Sequence, residues 1–249
     1  MIHPYLAALA EAVPRTGDAG ADVTALLARH GRADTVGHSM RVAAEAKRLA
    51  LHWGEEAAGA ETAGWLHDVS AIVPVEERVG LAEDLGLDVL PEERAFPMIM
   101  HQKLSAAIAQ AVFGISDPAV LSAIGCHTTL KAGASPLDKI VFVADKMQWD
   151  QAGDAPYLRA ITGAVERSLD QAVLVYLDYL WQQRATLPVV HPWVVQAYHQ
   201  TLNKLRTPDV RTPDAGDRYP GFSGSPSSRS SSSRNVETII SSAGSRPGT

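Results

Sequence analysis

Residues 62–74 read TAGWLHDVSAIVP, an apolar, Ala- and Gly-containing stretch that carries an adjacent imidazole and carboxylate, His67 and Asp68. The run before the pair, Glu56 to Leu66, is Ala-rich and predicts a helix, with His67-Asp68 at its C-terminal end. Upstream, His38 to Trp53 places Val42, Ala46, Leu49, Ala50 and Trp53 at helical spacing, and Gly54 is a natural stop. Downstream, Pro74 to Leu85 predicts a helix closed by Gly86, and Pro97 to Phe113 another closed by Gly114. Asp117-Pro118 and Ser135-Pro136 each join an N-cap side chain to a first-turn proline. They open helices through Cys126 and through the run LDKIVFVADKM. Leu169 to Arg184 and Pro192 to Leu205 extend the pattern, and two further helices are expected near Pro4 to Ala12 and Ala21 to Ala28. No alternating strand pattern and no internal repeat is present. Residues 140–144, IVFVA, have strand composition, but their capped surroundings favour helix. The expected fold class is all-α.

Bulk composition narrows the function classes. The chain has 249 residues, 20% of them charged and 46% hydrophobic, as in an ordinary globular protein. After Arg206, five Arg stand against four acids, leaving 17 basic and 24 acidic residues before that point, a balance of −7. Such a body is a poor electrostatic footprint for nucleic acid. A small anionic substrate remains compatible, because bound divalent cations invert the local field. Cys126 is the one cysteine, so no intramolecular disulfide can form, which fits a reducing compartment. The start, MIHPYLAALAEAVPRTG, lacks a basic region followed by a long apolar run, so no signal peptide is expected. No stretch reaches the roughly 18 apolar residues of a membrane span. Residues 207–249, rich in Ser, Gly, Pro and Arg, are expected to be disordered.

The chemistry lies in a series ordered H…HD…H…H…D: His38, His67, Asp68, His101, His127 and Asp145. Taken singly, a His on an Ala-rich helix is ordinarily a surface or satisfied core residue. His3, His30, His52 and His199 have no motif around them, and His191, before Pro192, is expected to shape a turn or cap a helix. The six are informative only jointly, because helices in a bundle can project them toward one internal site. Neutral imidazoles with carboxylates suit Fe, Mn, Zn or Co rather than Mg or Ca. A paired-metal site would be bridged by a carboxylate and a water, and Asp68 is the natural bridge because His67 beside it would hold one ion.

Five stretches resemble the YqeK-like branch of the HD superfamily, the bacterial symmetrical diadenosine tetraphosphate hydrolases. They are VGHSMRVAAEAKRLA, AGWLHDVSAIVP, MIMHQKLSAAIAQAVFGISDPAVLSAIGCHTT, SPLDKIVFVAD and VVHPWVVQAYHQTL, in order from about Gly37 to Leu202. The resemblance implies an HD-domain helical bundle over residues 1–206, with its core about 30–205. It implies a dinuclear centre held by His38, His67, Asp68, His101, His127 and Asp145, with Asp68 catalytic and iron the leading metal, ahead of Mn, Co or Zn. The implied reaction is cleavage of a dinucleoside tetraphosphate into two nucleoside diphosphates by a metal-bridging hydroxide, in a small cytoplasmic homodimer. The implied partner is the nucleotide substrate, not a nucleic acid or a membrane.

Departures from that pattern fall outside the ligand set. Ala71 stands where a basic residue is usual, Gln102-Lys103-Leu104 where a Gly-rich turn is frequent, and Leu130 where Gly usually follows HTT. After Asp145 the chain reads Lys146-Met147-Gln148-Trp149 instead of an aromatic-Ile-Glu-Pro run. Arg41, Lys103, Thr128 and Lys131 are the candidate phosphate contacts. These departures motivate a second reading, the same chemistry on a nucleoside monophosphate, a cyclic nucleotide or a guanosine alarmone. A third is a non-catalytic metal- or nucleotide-binding module, against which an intact ligand set argues.

Overall fold

A computed structural model describes residues 3–149, 153 and 155–207. The expected disordered tail lies outside the described residues, apart from Thr207. The described residues contain twelve α-helices, short 3-10 turns and no strand. These are α1 (Pro4–Ala12), α2 (Ala19–Arg29), α3 (Ala33–Trp53), α4 (Ala57–Leu66), α5 (Arg78–Asp84) and α6 (Pro91–Ala95). They continue as α7 (His101–Ala111), α8 (Pro118–Cys126), α9 (Pro136–Met147), α10 (Leu158–Val165), α11 (Leu169–Gln182) and α12 (Pro192–Arg206). The fold is all-α.

The capping expectations agree with the observed ends. Asp117 accepts from the Ala119 amide at 2.8 Å and opens α8. Ser135 and Asp138 exchange side-chain bonds with each other's amides at 3.1 and 2.8 Å, a capping box that opens α9. His191 caps α12 by accepting from Trp193 N at 3.2 Å. The expected helix from Pro74 to Leu85 instead starts as a 3-10 turn, Val75–Glu77, and becomes α-helical at Arg78. The expected helix at Pro97 likewise begins as a 3-10 turn, Pro97–Met100, with α7 starting at His101. Helices α6 and α10 carry little sequence signal. The latter is eight residues long with Gly163 inside it, so propensity is weak and packing of Ile161 and Val165 stabilises it.

Two apolar clusters share α9. Ile140, Phe142, Val143 and Ala144 pack with residues of α3, α10, α11 and α12. Val141 faces the other way, into a cluster built from α1, α2, α4, α7 and α8. A helix that is apolar all round must be buried all round, which explains the strand-like composition of residues 140–144. Helices α3 and α4 approach so closely that a Cβ on Gly64 would lie 2.5 Å from Ala43 Cα and 2.8 Å from Ala43 N. This contact sets the distance between His38 on α3 and His67 at the end of α4. Leu130 has φ +51°, the left-handed conformation that costs a residue with a Cβ about 1–2 kcal/mol, and its side chain is buried at 1% exposure. The backbone shape that suits glycine is therefore kept here with leucine.

Gly64→Ala should destabilise the protein by about 1–3 kcal/mol through overpacking against the α3 backbone. Urea denaturation measures this, and an unchanged midpoint would contradict the α3–α4 contact.

Candidate metal centre

The chain ends of two helices place the first imidazoles. His67 follows the last residue of α4 and His127 the last of α8. The final carbonyls of a helix lack intrahelical donors. His67 Nδ1 donates to the Gly64 carbonyl at 2.7 Å, and His127 Nδ1 to the Ile124 carbonyl at 2.8 Å. His101, at the start of α7, repeats the device with the Met98 carbonyl at 2.6 Å. In each ring the hydrogen-bond network therefore assigns the proton to Nδ1 and leaves the Nε2 lone pair facing inward.

These Nε2 atoms converge with that of His38. His38 Nε2 and His67 Nε2 are 3.2 Å apart, and His101 Nε2 and His127 Nε2 are 3.1 Å apart. Asp68 lies between the pairs. Its Oδ2 is 3.3 Å from His67 Nε2 and 3.9 Å from His38 Nε2; its Oδ1 is 3.4 Å from His127 Nε2 and 3.5 Å from His101 Nε2. Neither oxygen has a hydrogen-bond partner, although Asp68 is completely buried. Asp145 Oδ1 closes the first side at 3.0 Å from His38 and 3.6 Å from His67. Inward lone pairs this close repel one another, and an unpartnered buried carboxylate is costly, unless positive charge sits among them. The donor set of imidazole and carboxylate fits a divalent transition metal. His38, His67 and Asp145 can hold one ion, and His67, Asp68 and His127 form a second overlapping group; within each, ligand atoms lie within 4.8 Å of one another.

The charges follow from this crowding. Burial opposes the charge of Asp68, but His67, with help from His127 and His101, outweighs it and holds the carboxyl well below the usual range. Burial likewise opposes Asp145, yet Lys146, His38 and His67 hold it well below that range. Burial opposes protonation of His67 too, but Asp68 and Asp145 together push its pKa up to about 10. Burial dominates at His101, pushed down to about 3, and lowers His127. Without metal, a proton on His67 thus takes the place of the cation.

A surrounding layer pins these groups. Gln102 Oε1 accepts from the amides of Thr128 and Thr129, each at 3.2 Å, and its amide nitrogen donates to Thr129 Oγ1 at 3.0 Å. This ties the turn after His127 to α7. Ser70 donates to the His101 carbonyl at 2.8 Å and its amide bonds Ser105 Oγ at 3.1 Å, tying the turn after Asp68 to the same helix. Lys146 Nζ contacts Asp145 Oδ2 and donates to the His127 carbonyl at 3.2 Å, leaving Asp145 Oδ1 for the centre. Buried Glu93 takes Lys103 at 2.8 Å and His191 Nε2 at 3.3 Å, holding α12 near the start of α7.

Of the candidate phosphate contacts, Thr128 reaches the centre, its hydroxyl 2.8 Å from His101 Nε2. Arg41 is exposed and donates to the Gly37 carbonyl. Lys103 and Lys131 pair with Glu93 and Asp138 and line a cavity of about 360 Å³ with Trp193 and Leu121, a lining that includes none of the six. Ala71 is buried in the 3-10 turn Val69–Ile72. Sequence reasoning missed Arg78, a buried guanidinium whose field acts on His101. In the sequence it lies within the expected helix from Pro74 to Leu85, and nothing there marks it as buried. Cys126 is buried, and burial pushes its thiol up, so it is an inert core residue.

The family described as the HD domain matches residues 35–150. An uncharacterised protein of the pepC 5′ region of Lactococcus lactis subsp. cremoris is 43% identical over 143 residues, 57% of this chain and 72% of that protein. The symmetrical bis(5′-nucleosyl)-tetraphosphatase of Bacillus subtilis is 29% identical over 139 residues, 55% of this chain and 72% of that one. The crystal structure of a predicted HD superfamily hydrolase involved in NAD metabolism, from Clostridium acetobutylicum, superposes with a TM-score of 0.68. It covers 73% of this chain and 96% of that one at 24% identity, and so shows a shared fold.

Two outcomes are expected. Asp68→Ala should remove stoichiometric metal, while His52→Ala, at an exposed position on α3 facing Glu166 at the end of α10, should leave the metal content unchanged; elemental analysis decides. Metal loading near neutral pH should release about one proton, because the proton held on His67 below pH about 10 has to leave, so affinity rises with pH. Calorimetry in buffers of different ionisation enthalpy reads this, and proton uptake would contradict it.

Proposed function

Because this chain belongs to the HD-domain family of hydrolases, we propose that it hydrolyses a phosphoanhydride bond of a small nucleotide, with symmetrical cleavage of diadenosine tetraphosphate to two ADP as the leading reaction. HD domains bind divalent metals, and one observation carries the reading in this chain. Asp68 is buried with both oxygens unpartnered, one toward His38 and His67 and the other toward His101 and His127. We assign His38, His67, Asp68, His101, His127 and Asp145 as the residues that would hold two divalent ions. Iron is the leading metal, with Mn, Co or Zn as alternatives. Bound there, the ions supply Lewis acidity toward phosphoryl oxygens and make a nucleophile available near neutral pH.

The rest falls to the chain's own groups. The Nδ1 bonds of His67, His101 and His127 fix ring orientation before substrate arrives, and such outer partners raise ligand basicity. Lys146 restrains Asp145 to one free oxygen. Thr128, at 6% exposure, places a hydroxyl at the edge of the centre where a phosphate oxygen would lie. Burial of the six groups lowers the local dielectric and strengthens the charge interactions within. No helix among the described residues is long and apolar enough to cross a membrane, and the reading takes the chain as a cytoplasmic homodimer.

The choice of tetraphosphate is supported by what the Bacillus subtilis relative is named for. A second reading, a different nucleotide at the same centre, is favoured by the small buried Ala71 and by the pairing of Lys146 with Asp145. Turnover of a nucleotide panel by protein loaded anaerobically with Fe, Mn or Co separates them. The tetraphosphate should give the highest kcat/KM, two diphosphates per turnover, and no activity in Asp68→Ala. A higher kcat/KM for a monophosphate, cyclic nucleotide or alarmone selects the second reading. Failure on every member with metal bound defeats both.

A further inference from the structure

Arg78, the first residue of α5, is 1% exposed. Main-chain carbonyls grip two of its three nitrogens: Nε donates to Val73 O and Nη1 to Met98 O, both at 3.2 Å. Nη2 has no partner, and no carboxylate among the described residues forms an ion pair with the guanidinium. Burial lowers its pKa to about 10, so it stays charged at neutral pH, and Asp68 is the charge that most favours its protonated form. Asp68 in turn has two unpartnered oxygens. Arg78 is thus a buried cation with a spare donor, and Asp68 a buried anion with spare acceptors. Either would be costly alone. The Met98 carbonyl also accepts from His101 Nδ1 at 2.6 Å, so the guanidinium is held in register with the imidazole cluster through one shared atom.

We propose that Arg78 is a substrate-binding residue, its Nη2 donating to a non-bridging oxygen of the phosphate that enters the centre beside Asp68. Resting on the nucleotide-hydrolase reading, this names the chain's own cation for that phosphate. Guanidinium suits the task, being charged at neutral pH and able to keep two carbonyl bonds while offering a further donor. Its burial is no obstacle peculiar to it. His67, Asp68 and His127 are at 0% exposure, so substrate reaching the centre must pass the same cover.

The test uses the full chain loaded with metal, and inorganic phosphate as probe in titration calorimetry, alongside metal content, thermal unfolding and nucleotide kinetics. Arg78→Met should weaken phosphate binding about 10- to 100-fold and raise KM for the nucleotide, with metal content unchanged. Arg78→Lys keeps the charge but cannot serve two carbonyls and a ligand together. It should lose about 10-fold, and it carries the test if Arg78→Met does not fold. Unchanged phosphate affinity in a folded, metal-loaded variant overturns the inference, as does a wild-type protein that binds no phosphate. Loss of metal from a folded variant overturns it too, since Arg78 would then act only as a brace for Met98 and His101. Unchanged phosphate affinity beside normal wild-type nucleotide turnover strikes this inference alone, whereas absence of wild-type turnover strikes the functional reading.

Discussion

A carboxylate stripped of water and given no hydrogen bond sits at the middle of this molecule, with an imidazole pair against each of its oxygens. Asp68 can exist there only because positive charge compensates it, whether as a proton on His67 or as the metal ions such a donor set accepts. The surrounding architecture serves that one constraint. Gly64 lets α3 and α4 close up until His38 and His67 meet. The ends of α4 and α8 lend spare carbonyls that turn His67 and His127 inward. Helix α9, buried on every side between two apolar clusters, delivers Asp145 from a rigid support.

The layer behind the imidazoles explains residues that otherwise look like departures. Gln102 replaces conformational freedom with a clamp, holding the amides of Thr128 and Thr129 and hence the turn after His127. Leu130 holds a left-handed backbone and offsets its cost by burying its side chain. Lys146 is a buried ammonium spent on Asp145 and the His127 carbonyl, with the rings of Phe142 and Tyr176 beneath it at 5.2 and 5.3 Å. Gln102 and Lys146 each hold a member of the cluster or the turn that carries it. The six candidate ligands keep the expected residue types, while residues around them differ from the pattern that the resemblance implies.

Much of the helical architecture was legible because it rests on local physics. Capping pairs such as Asp117-Pro118 and Ser135-Pro136 set helix starts from within three residues, and the apolar spacing of Val42, Ala46 and Leu49 faces the core as expected. The weakly signalled pieces, α6, α10 and the 3-10 turn before Arg78, gain their stability from neighbours rather than from propensity. The candidate phosphate lysines illustrate the opposite limit. Lys103 and Lys131 look available in a linear string, yet folding brings Glu93 and Asp138 to them.

By itself the sequence determined the helical class, most helix starts, and the order and types of the six metal-ligand candidates. These depend on spacing and side-chain chemistry that a linear string carries. Only the tertiary structure decided that Nε2 and carboxylate atoms meet within hydrogen-bonding distance, that Asp68 has an oxygen for each imidazole pair, and that Arg78 is buried with a donor to spare. Those are properties of residues up to 107 positions apart, and they exist only once close packing has brought α3, α4, α7, α8 and α9 around one point.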